Sequence, residues 1–392
     1  MACMPVVTIQ CDWNDVIRLP HGEAWISSKF LHQTSVHDKL TTTVNEIDGK
    51  VKINFTDNFQ YISHGCLNLV VKHVGSGLKV VFVAPSKAHK LHDKGVYSVD
   101  ASVSPIVVSS CEGSKLLVWD STTDEVIQDL KGHGGPVYKC RLIQPEIAFS
   151  CGADGATKVW STETGNNAFT LIGHTMAVTD ISIIAKGRNA ITVSKDGTAK
   201  LWDVSLKNCL GNIIEPYGPI NCCAIGISNK EIPVKNEREI ATGNKLLVIG
   251  CENGAIKCAH VAKREELYVK QLQEPCNACI VIENSIIAGC SNGKVVQLNL
   301  QDGALIKEWH ESASPVLCLA SLTNHLFVVG RQDGTCTVLS LNDAHNTLRV
   351  YLTGSDCDGI RDISFNGKWI FAGCRDSYVR KYDYNQVIAY YK

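Results

Sequence analysis

Two groups of side chains have the composition of a hydrolytic site. The first is His133, Ser150 and Asp154, with Trp160 in the same segment; the second is His174, Thr192 and Asp196, with Trp202. An Asp that orients a His, and a His that takes the proton of a hydroxyl, is the arrangement that makes Ser or Thr a nucleophile. The same residue types have another use. Asp, His, hydroxyl and indole N–H can form one hydrogen-bonded chain that satisfies buried polar groups and fixes the segments carrying them. Repetition decides between the two. A catalytic constellation is built once, whereas this set occurs twice at the same spacing, each hydroxyl 10 residues before its Trp. Both sets are therefore expected to be structural tetrads, and no residue is expected to be catalytic.

The elements that position these residues belong to a repeated unit. It reads SCGADGATKVW (150–160), then TLIGH (170–174), then TVSKDGTAKLWD (192–203): a β-branched run, an Asp-Gly turn and a short alternating strand ending in Trp. From Gly155 to Gly197 is a step of 42 residues. A period of roughly 40–45 with Gly-His and Trp-Asp marks is the signature of a WD-repeat propeller blade. The turn recurs at Glu112-Gly113, Asp154-Gly155, Asp196-Gly197, Asn253-Gly254, Asn292-Gly293, Asp333-Gly334 and Asp376-Ser377, at steps of 42, 42, 57, 39, 41 and 43. Asx-Gly suits a tight hairpin because both central positions can require positive φ. Each turn leads into an alternating strand, although Ala259, Leu298 and Leu339 stand where Trp would be. The step of 57 implies an insertion, Ser228–Thr242, which is polar, contains Pro233 and reads as a surface loop.

These units predict an all-β fold: a seven-bladed WD-repeat β-propeller over 76–392, preceded by a small, mostly β N-terminal domain over 1–75. In that first block, alternation in Lys50–Phe55 and Cys66–Val71 suggests strands. Closing the ring removes exposed sheet edges. Two segments compete to supply the outer strand of the last blade, Leu78–Ala84 (LKVVFVA) and Val387–Tyr391 (VIAYY).

Composition narrows the function. A net charge of -1 argues against a generally basic nucleic-acid binder. No apolar run approaches the ~18 residues of a membrane span. The start, MACMPVVTIQCDWND, has neither the charged region nor the apolar core of a signal peptide, so the cytosol or nucleus is the expected location. Eighteen cysteines fit such a reducing compartment. Many fall at repeat positions, Cys251, Cys290 and Cys374 late in second strands and Cys140, Cys223, Cys279 and Cys318 in first strands, as packed thiols do. The one CxxC, Cys276 to Cys279, lacks a second pair at zinc spacing. Phosphate-loop, GxSxG and HExxH motifs are absent. Neither enzyme activity, cofactor nor metal is expected.

What remains is a ring with loop-bearing faces. Connections between blades and the central hairpin turns share one face. In the later blades that face carries Glu215 with Tyr217, Glu252, Glu274, His310 with Glu311, and Asp356 with Asp358. Gathered on one sector, these carboxylates would attract a basic partner.

Narrower segments outside the repeat marks carry a family resemblance. They are Gly22-Glu23-Ala24-Trp25, Thr43-Val44-Asn45-Glu46-Ile47, Lys186-Gly187-Arg188-Asn189 with Ser194–Trp202, Thr353-Gly354-Ser355-Asp356-Cys357-Asp358, and Cys374-Arg375-Asp376 with Val379-Arg380. In these the chain resembles the proteasomal ATPase-associated factor 1 family, WD-repeat chaperones of the proteasome regulatory particle. The resemblance implies an N-terminal domain before a seven-bladed propeller. It also implies binding to ATPase subunits of the 19S particle, assembly chaperoning, and restraint of 19S association with the 20S core, without catalytic residues or cofactor. The chain departs from the pattern in its tail, Tyr384–Lys392, and in the length of the Ser228 insertion. A monomer when free is expected. The competing expectation is a WD-repeat substrate receptor of a ubiquitin ligase, or a signalling scaffold.

Overall fold

The computed structural model describes residues 4–45, 51–102, 105–342 and 347–391. Glu46, Ile47 and Lys50, which belong to apolar pieces read in the first block, lie outside the described residues.

The repeat units fold into seven antiparallel blades around a central channel. Seven innermost strands line that channel: Val96–Asp100, Val137–Gln144, Val178–Ile184, Ile220–Ile227, Cys276–Ile282, Val316–Ser321 and Ile360–Phe365. Each packs against the next, and the last against the first, so the ring is closed. The blades are numbered 1 to 7 from these strands. Blade 2 shows the pattern: Val137–Gln144, Ile147–Gly152, Thr157–Ser161 and Asn167–Leu171, paired in that order from the inside out. The second strand, IAFSCG, is buried almost throughout because neighbouring blades cover both its faces. The outer strand NAFTL is exposed at Asn167 and Ala168 and buried only at Leu171. This architecture is a WD-repeat β-propeller.

Side chains of the inner strands stitch one blade to the next. Asp362 Oδ2 accepts Val99 N–H at 3.1 Å, Ser98 Oγ accepts Cys140 N–H at 3.2 Å, and Asp100 Oδ2 accepts Leu142 N–H at 2.9 Å. Asp180 Oδ2 accepts Cys223 N–H at 3.0 Å. A buried N–H left unpaired here would cost ~1–3 kcal/mol, so these three carboxylates and the Ser98 hydroxyl hold the ring's register where strands of different blades cannot pair.

Neither expected segment closes the ring. The outer strand of blade 7 is Lys87–His89, antiparallel to Val379–Asp383. Asp124, in the hairpin between the two outer strands of blade 1 (Leu116–Asp120 and Val126–Asp129), receives Lys87 Nζ at 2.8 Å and bonds the His89 ring, locking the closure to blade 1. The tail folds as a short helix, Tyr384–Ile388, capped by the Asp383 carboxylate. The apolar candidate Leu78–Ala84 is used elsewhere for a physical reason: it has no polar face to give to solvent. Its strand Lys79–Val83 pairs in parallel with Leu348–Leu352 of blade 6. Val80 and Phe82 face the N-terminal core, and Val81 and Val83 face the core between blades 6 and 7.

Two further strands, Asn68–His73 and Phe59–His64, continue outward, making blade 6 a seven-stranded sheet. The antiparallel sheet Val6–Ile9, Glu23–Lys29, Val36–Val44 and Val51–Phe55 packs on this extension through Val7, Trp13, Ile26, Leu40, Phe82 and Tyr351. Val7 N–H donates to Tyr351 Oη at 3.2 Å, and Trp13 Nε1 to Thr353 Oγ1 at 2.8 Å.

The insertion is more firmly held than a solvated loop. Glu239 is only 3% exposed and pairs with Arg264 at 2.7 Å, while Arg238 meets Asp203 at 3.0 Å. Asn189 accepts Ile240 N–H at 2.8 Å and donates to Arg238 O at 3.1 Å.

Candidate functional site

In blade 2 the His133 ring bonds Asp154 through Nδ1 at 2.8 Å and Ser150 Oγ through Nε2 at 2.7 Å, and Trp160 Nε1 donates to Ser150 Oγ at 2.7 Å. In blade 3 the corresponding distances are 2.8 Å for His174–Asp196, 2.8 Å for His174–Thr192 and 2.8 Å for Trp202–Thr192. An ionised carboxylate only accepts, so the proton of each neutral imidazole sits on Nδ1 and Nε2 accepts the hydroxyl proton. The chain thus runs indole to hydroxyl to imidazole to carboxylate, with every group used. Burial keeps both imidazoles below the ordinary histidine pKa, against the pull of the partner Asp. Burial opposes ionisation of Asp196, but hydrogen bonds from Thr198, His174 and the Thr175 N–H outweigh it and hold the carboxyl at about 2.

The chemistry open to these groups is limited by access. Ser150 and Thr192 are fully buried beneath their Trp rings. A hydroxyl already bonded to an indole and an imidazole, with no opening to solvent, cannot attack a substrate.

Blade 1 holds a third such set that sequence reasoning missed. His92 Nε2 lies 2.8 Å from Ser109 Oγ, and Trp119 Nε1 donates to the same oxygen at 3.0 Å. The signal was present, because Ser109 precedes Trp119 by 10 residues as Ser150 precedes Trp160. It was hidden by Leu91, where a Gly precedes the His in blades 2 and 3, and by Gly113, where the Asp would stand. Cys111 N–H pairs with Lys115 O as Ser194 N–H does with Thr198 O, so the turn of blade 1 is Gly113-Ser114, one residue later than the expected Glu112-Gly113. In blade 7, Tyr382 takes the Trp position and donates to Thr353 O at 2.7 Å. Ala259, Leu298 and Leu339 are simply packed in the core.

The His–Asp bonds also orient the molecule: they join inter-blade loops to hairpin turns, so both lie on one face. The expected acidic residues differ in how far they are free there. Glu215, Asp356 and Tyr217 are exposed, with Lys257 Nζ 3.4 Å from the Tyr217 ring centre. Glu252 is exposed but paired with Lys195 at 2.9 Å, which holds its carboxyl below the usual range. Glu274 and Asp358 are half-buried, and Ser291 Oγ donates to Glu274 at 3.4 Å. Glu311 departs from the expected exposed rim. It is 8% exposed and accepts Arg349 Nε at 2.8 Å, because blade 6 buries a guanidinium that needs a counter-charge. His310 meets His32 of the N-terminal sheet edge to face, with ring centres 6.5 Å apart.

A groove runs along that sheet, lined by Thr8, Trp25, Asp333 and Asp356. Trp25 of the Gly22–Trp25 block is 37% exposed beside these acids. At the ring's centre lies a channel of 640 Å³ whose wall carries Lys139, Arg141, Asp180, Arg361 and Asp362. Lys139 is paired with Asp362 at 2.8 Å, and Arg361 with Glu112 at 2.7 Å. Arg375 also stands in the wall, so cations outnumber carboxylates there, while Glu215 and Asp356 are exposed on the loop face.

Comparison with known proteins agrees with the architecture. The repeat family described as "WD domain, G-beta repeat" matches residues 165–203 and 346–383. Proteasomal ATPase-associated factor 1 of Homo sapiens is 28% identical over 385 residues, covering 95% of this chain and 97% of that protein. The proteins of the same name from Bos taurus and Gallus gallus are 27% and 28% identical over the same 95% of the chain. The resemblance therefore includes the N-terminal sheet as well as the ring.

Proposed function

We propose that this chain is a non-enzymatic, proteasome-associated scaffold that binds ATPase subunits of the 19S regulatory particle as an assembly chaperone and restrains 19S docking on the 20S core. The observation that carries this reading is the extent of the likeness, 95% of the chain and 97% of the human relative. A propeller module alone would align over its repeats only. The relative's name supplies the ATPase partner, and the loop face supplies exposed carboxylates, Glu215 and Asp356.

The mechanism is steric. A rigid ring holds its loops without a large ordering cost on binding, and one face easily offers the ~1,600 Å² of total buried area of a specific complex. A bound ATPase subunit would be kept from the core particle until the propeller leaves. Exposed carboxylates such as Asp356 and Glu215 would steer a basic subunit surface towards the face. The protein works under this reading as a free monomer in the cytosol or nucleus, with no cofactor, nucleic acid or membrane.

The test is capture of partners by the full-length protein from the source cell's extract, identified by mass spectrometry. Regulatory-particle ATPases without 20S subunits are expected. Recovery of cullin-type partners instead would replace this reading with that of a ubiquitin-ligase receptor.

A further inference from the structure

The Cys276–Cys279 pair has no second pair in the sequence, but the fold supplies a third thiol. Cys222 lies on the innermost strand of blade 4, and Cys276 and Cys279 on that of blade 5. These strands are neighbours in the ring. Gly250, on the second strand of blade 4, makes the room. A Cβ built there would fall 2.5 Å from Cys276 Sγ and 2.7 Å from Cys222 Sγ, which bounds the gap between the two sulfurs at the sum of those lengths. No set of three His, Cys, Asp or Glu among the described residues is disposed to hold a metal ion. What is left is the chemistry of the sulfurs themselves.

That chemistry is asymmetric. Cys222 stands in the channel wall and Cys276 does not line it, so an oxidant meets Cys222 first; the nearby Cys276 and Cys279 thiols favour the Cys222 thiolate against burial. The same contacts, with burial, push Cys276 and Cys279 up. One sulfur is thus poised as nucleophile and two keep their protons. Cys222 and Cys279 also stand in the wall of the 640 Å³ channel. A water-sized oxidant has a route to them that a macromolecule does not.

We propose that Cys222 is a peroxide-reactive thiol whose oxidised form is captured by Cys276 as a disulfide bridging blades 4 and 5. In the first step the Cys222 thiolate attacks hydrogen peroxide: an S–O bond forms, the O–O bond breaks and hydroxide leaves, giving a sulfenic acid. In the second, Cys276 sulfur attacks Cys222 sulfur; the S–S bond forms, the S–O bond breaks, and the Cys276 proton leaves with the hydroxyl as water. Two thiols lose two electrons in all, and peroxide is reduced to two waters. An S–S bond of ~2.05 Å requires the sulfurs to close the remaining gap by side-chain rotation. The product adds a covalent tie between two strands that packing and the Asn221 Nδ2 bond to Cys276 O at 3.0 Å already join.

The experiment treats the folded, full-length protein with hydrogen peroxide at neutral pH, alkylates it under denaturing conditions and maps it by mass spectrometry. A cross-linked Cys222–Cys276 peptide is expected, on the order of 10-fold faster than oxidation of the exposed Cys66 and Cys357. Cys222→Ser abolishes it. Cys276→Ser leaves a Cys222 sulfenic acid that a 1,3-dione traps. Recovery of Cys222 in its reduced, alkylated form while Cys66 or Cys357 oxidises overturns the proposal, and the unmodified sequence alone suffices for that outcome.

Discussion

His92 and Ser109 stand in blade 1 as His133 and Ser150 stand in blade 2, with ring nitrogen and hydroxyl 2.8 Å apart. What differs is the other side of the imidazole. Gly113 occupies the place of Asp154, and His92 Nδ1 has no hydrogen-bond partner among the described residues. Burial, reinforced by the Lys115 charge, therefore pushes His92 down to about 4.

That pairing makes a prediction about acid stability. In the unfolded chain the same histidine titrates near ~6.5. Between that value and about 4 the unfolded state binds the extra proton, so stability falls as pH drops across this window. The loss is expected to reach about 3 kcal/mol, measured by denaturant unfolding at several pH values. His92→Gln should flatten the curve. Gly113→Asp, whose Cβ would meet only Cys111 Sγ at 3.5 Å and Lys94 Cδ at 3.8 Å, should complete the chain and raise stability by about 1 kcal/mol. An unmodified protein as flat as His92→Gln would show that His92 is not held neutral.

The Trp of each complete chain fills core as well as donating. Trp202 is buried with Phe149, Val159 and Ala190 and holds Thr192 Oγ1 at 2.8 Å. Trp202→Ala is expected to cost ~3–5 kcal/mol through the cavity alone. An unchanged thermal midpoint would contradict this packing.

The insertion should matter to the ring it crosses. Glu239→Gln strips the counter-charge from Arg264, whose guanidinium retains the carbonyls of Leu210, Val261 and Ala262. A loss of about 3 kcal/mol is expected, together with faster proteolysis within 228–242. Resistance to protease equal to the parent would mean that the pair does not anchor the loop.

Binding should separate the exposed acids from the buried, paired Glu311. Asp356→Lys with Glu215→Lys is expected to weaken ATPase capture at low salt and to flatten its salt dependence. Glu311→Lys should instead destabilise the fold, since it places a cation against buried Arg349. An affinity equal to that of the unmodified protein at both low and high salt would remove the acidic-face idea.

What was legible in the chain was whatever repeats locally. Five Asx-Gly turns and Asp376-Ser377 mark six of the blades, because the positive φ of the second turn residue restricts its type, and the spacing of His133 to Trp160 pointed to residues along which hydrogen bonds run. Blade 1 was read less well, because its incomplete set lacks the Asp. The stitching carboxylates Asp100, Asp180 and Asp362 were passed over, since nothing local distinguishes an Asp facing the next blade from one facing water.

The sequence by itself determined the unit: its period, its turns, its alternating strands and the hydrogen-bonded chains inside single blades, all of which depend on residues less than one repeat apart. Only the tertiary structure decided how the units meet. Lys87–His89 closes the ring, although its own pattern is short and polar, because Asp124 and the open edge of Val379–Asp383 await it. Leu78–Ala84 is drawn to blade 6, because there both of its apolar faces are covered. Glu311 is sunk against Arg349, and Cys222 beside Cys276, by contacts spanning 38 and 54 residues. Side-chain type cannot report such pairings; they exist only once the ring has closed and removed the groups from water.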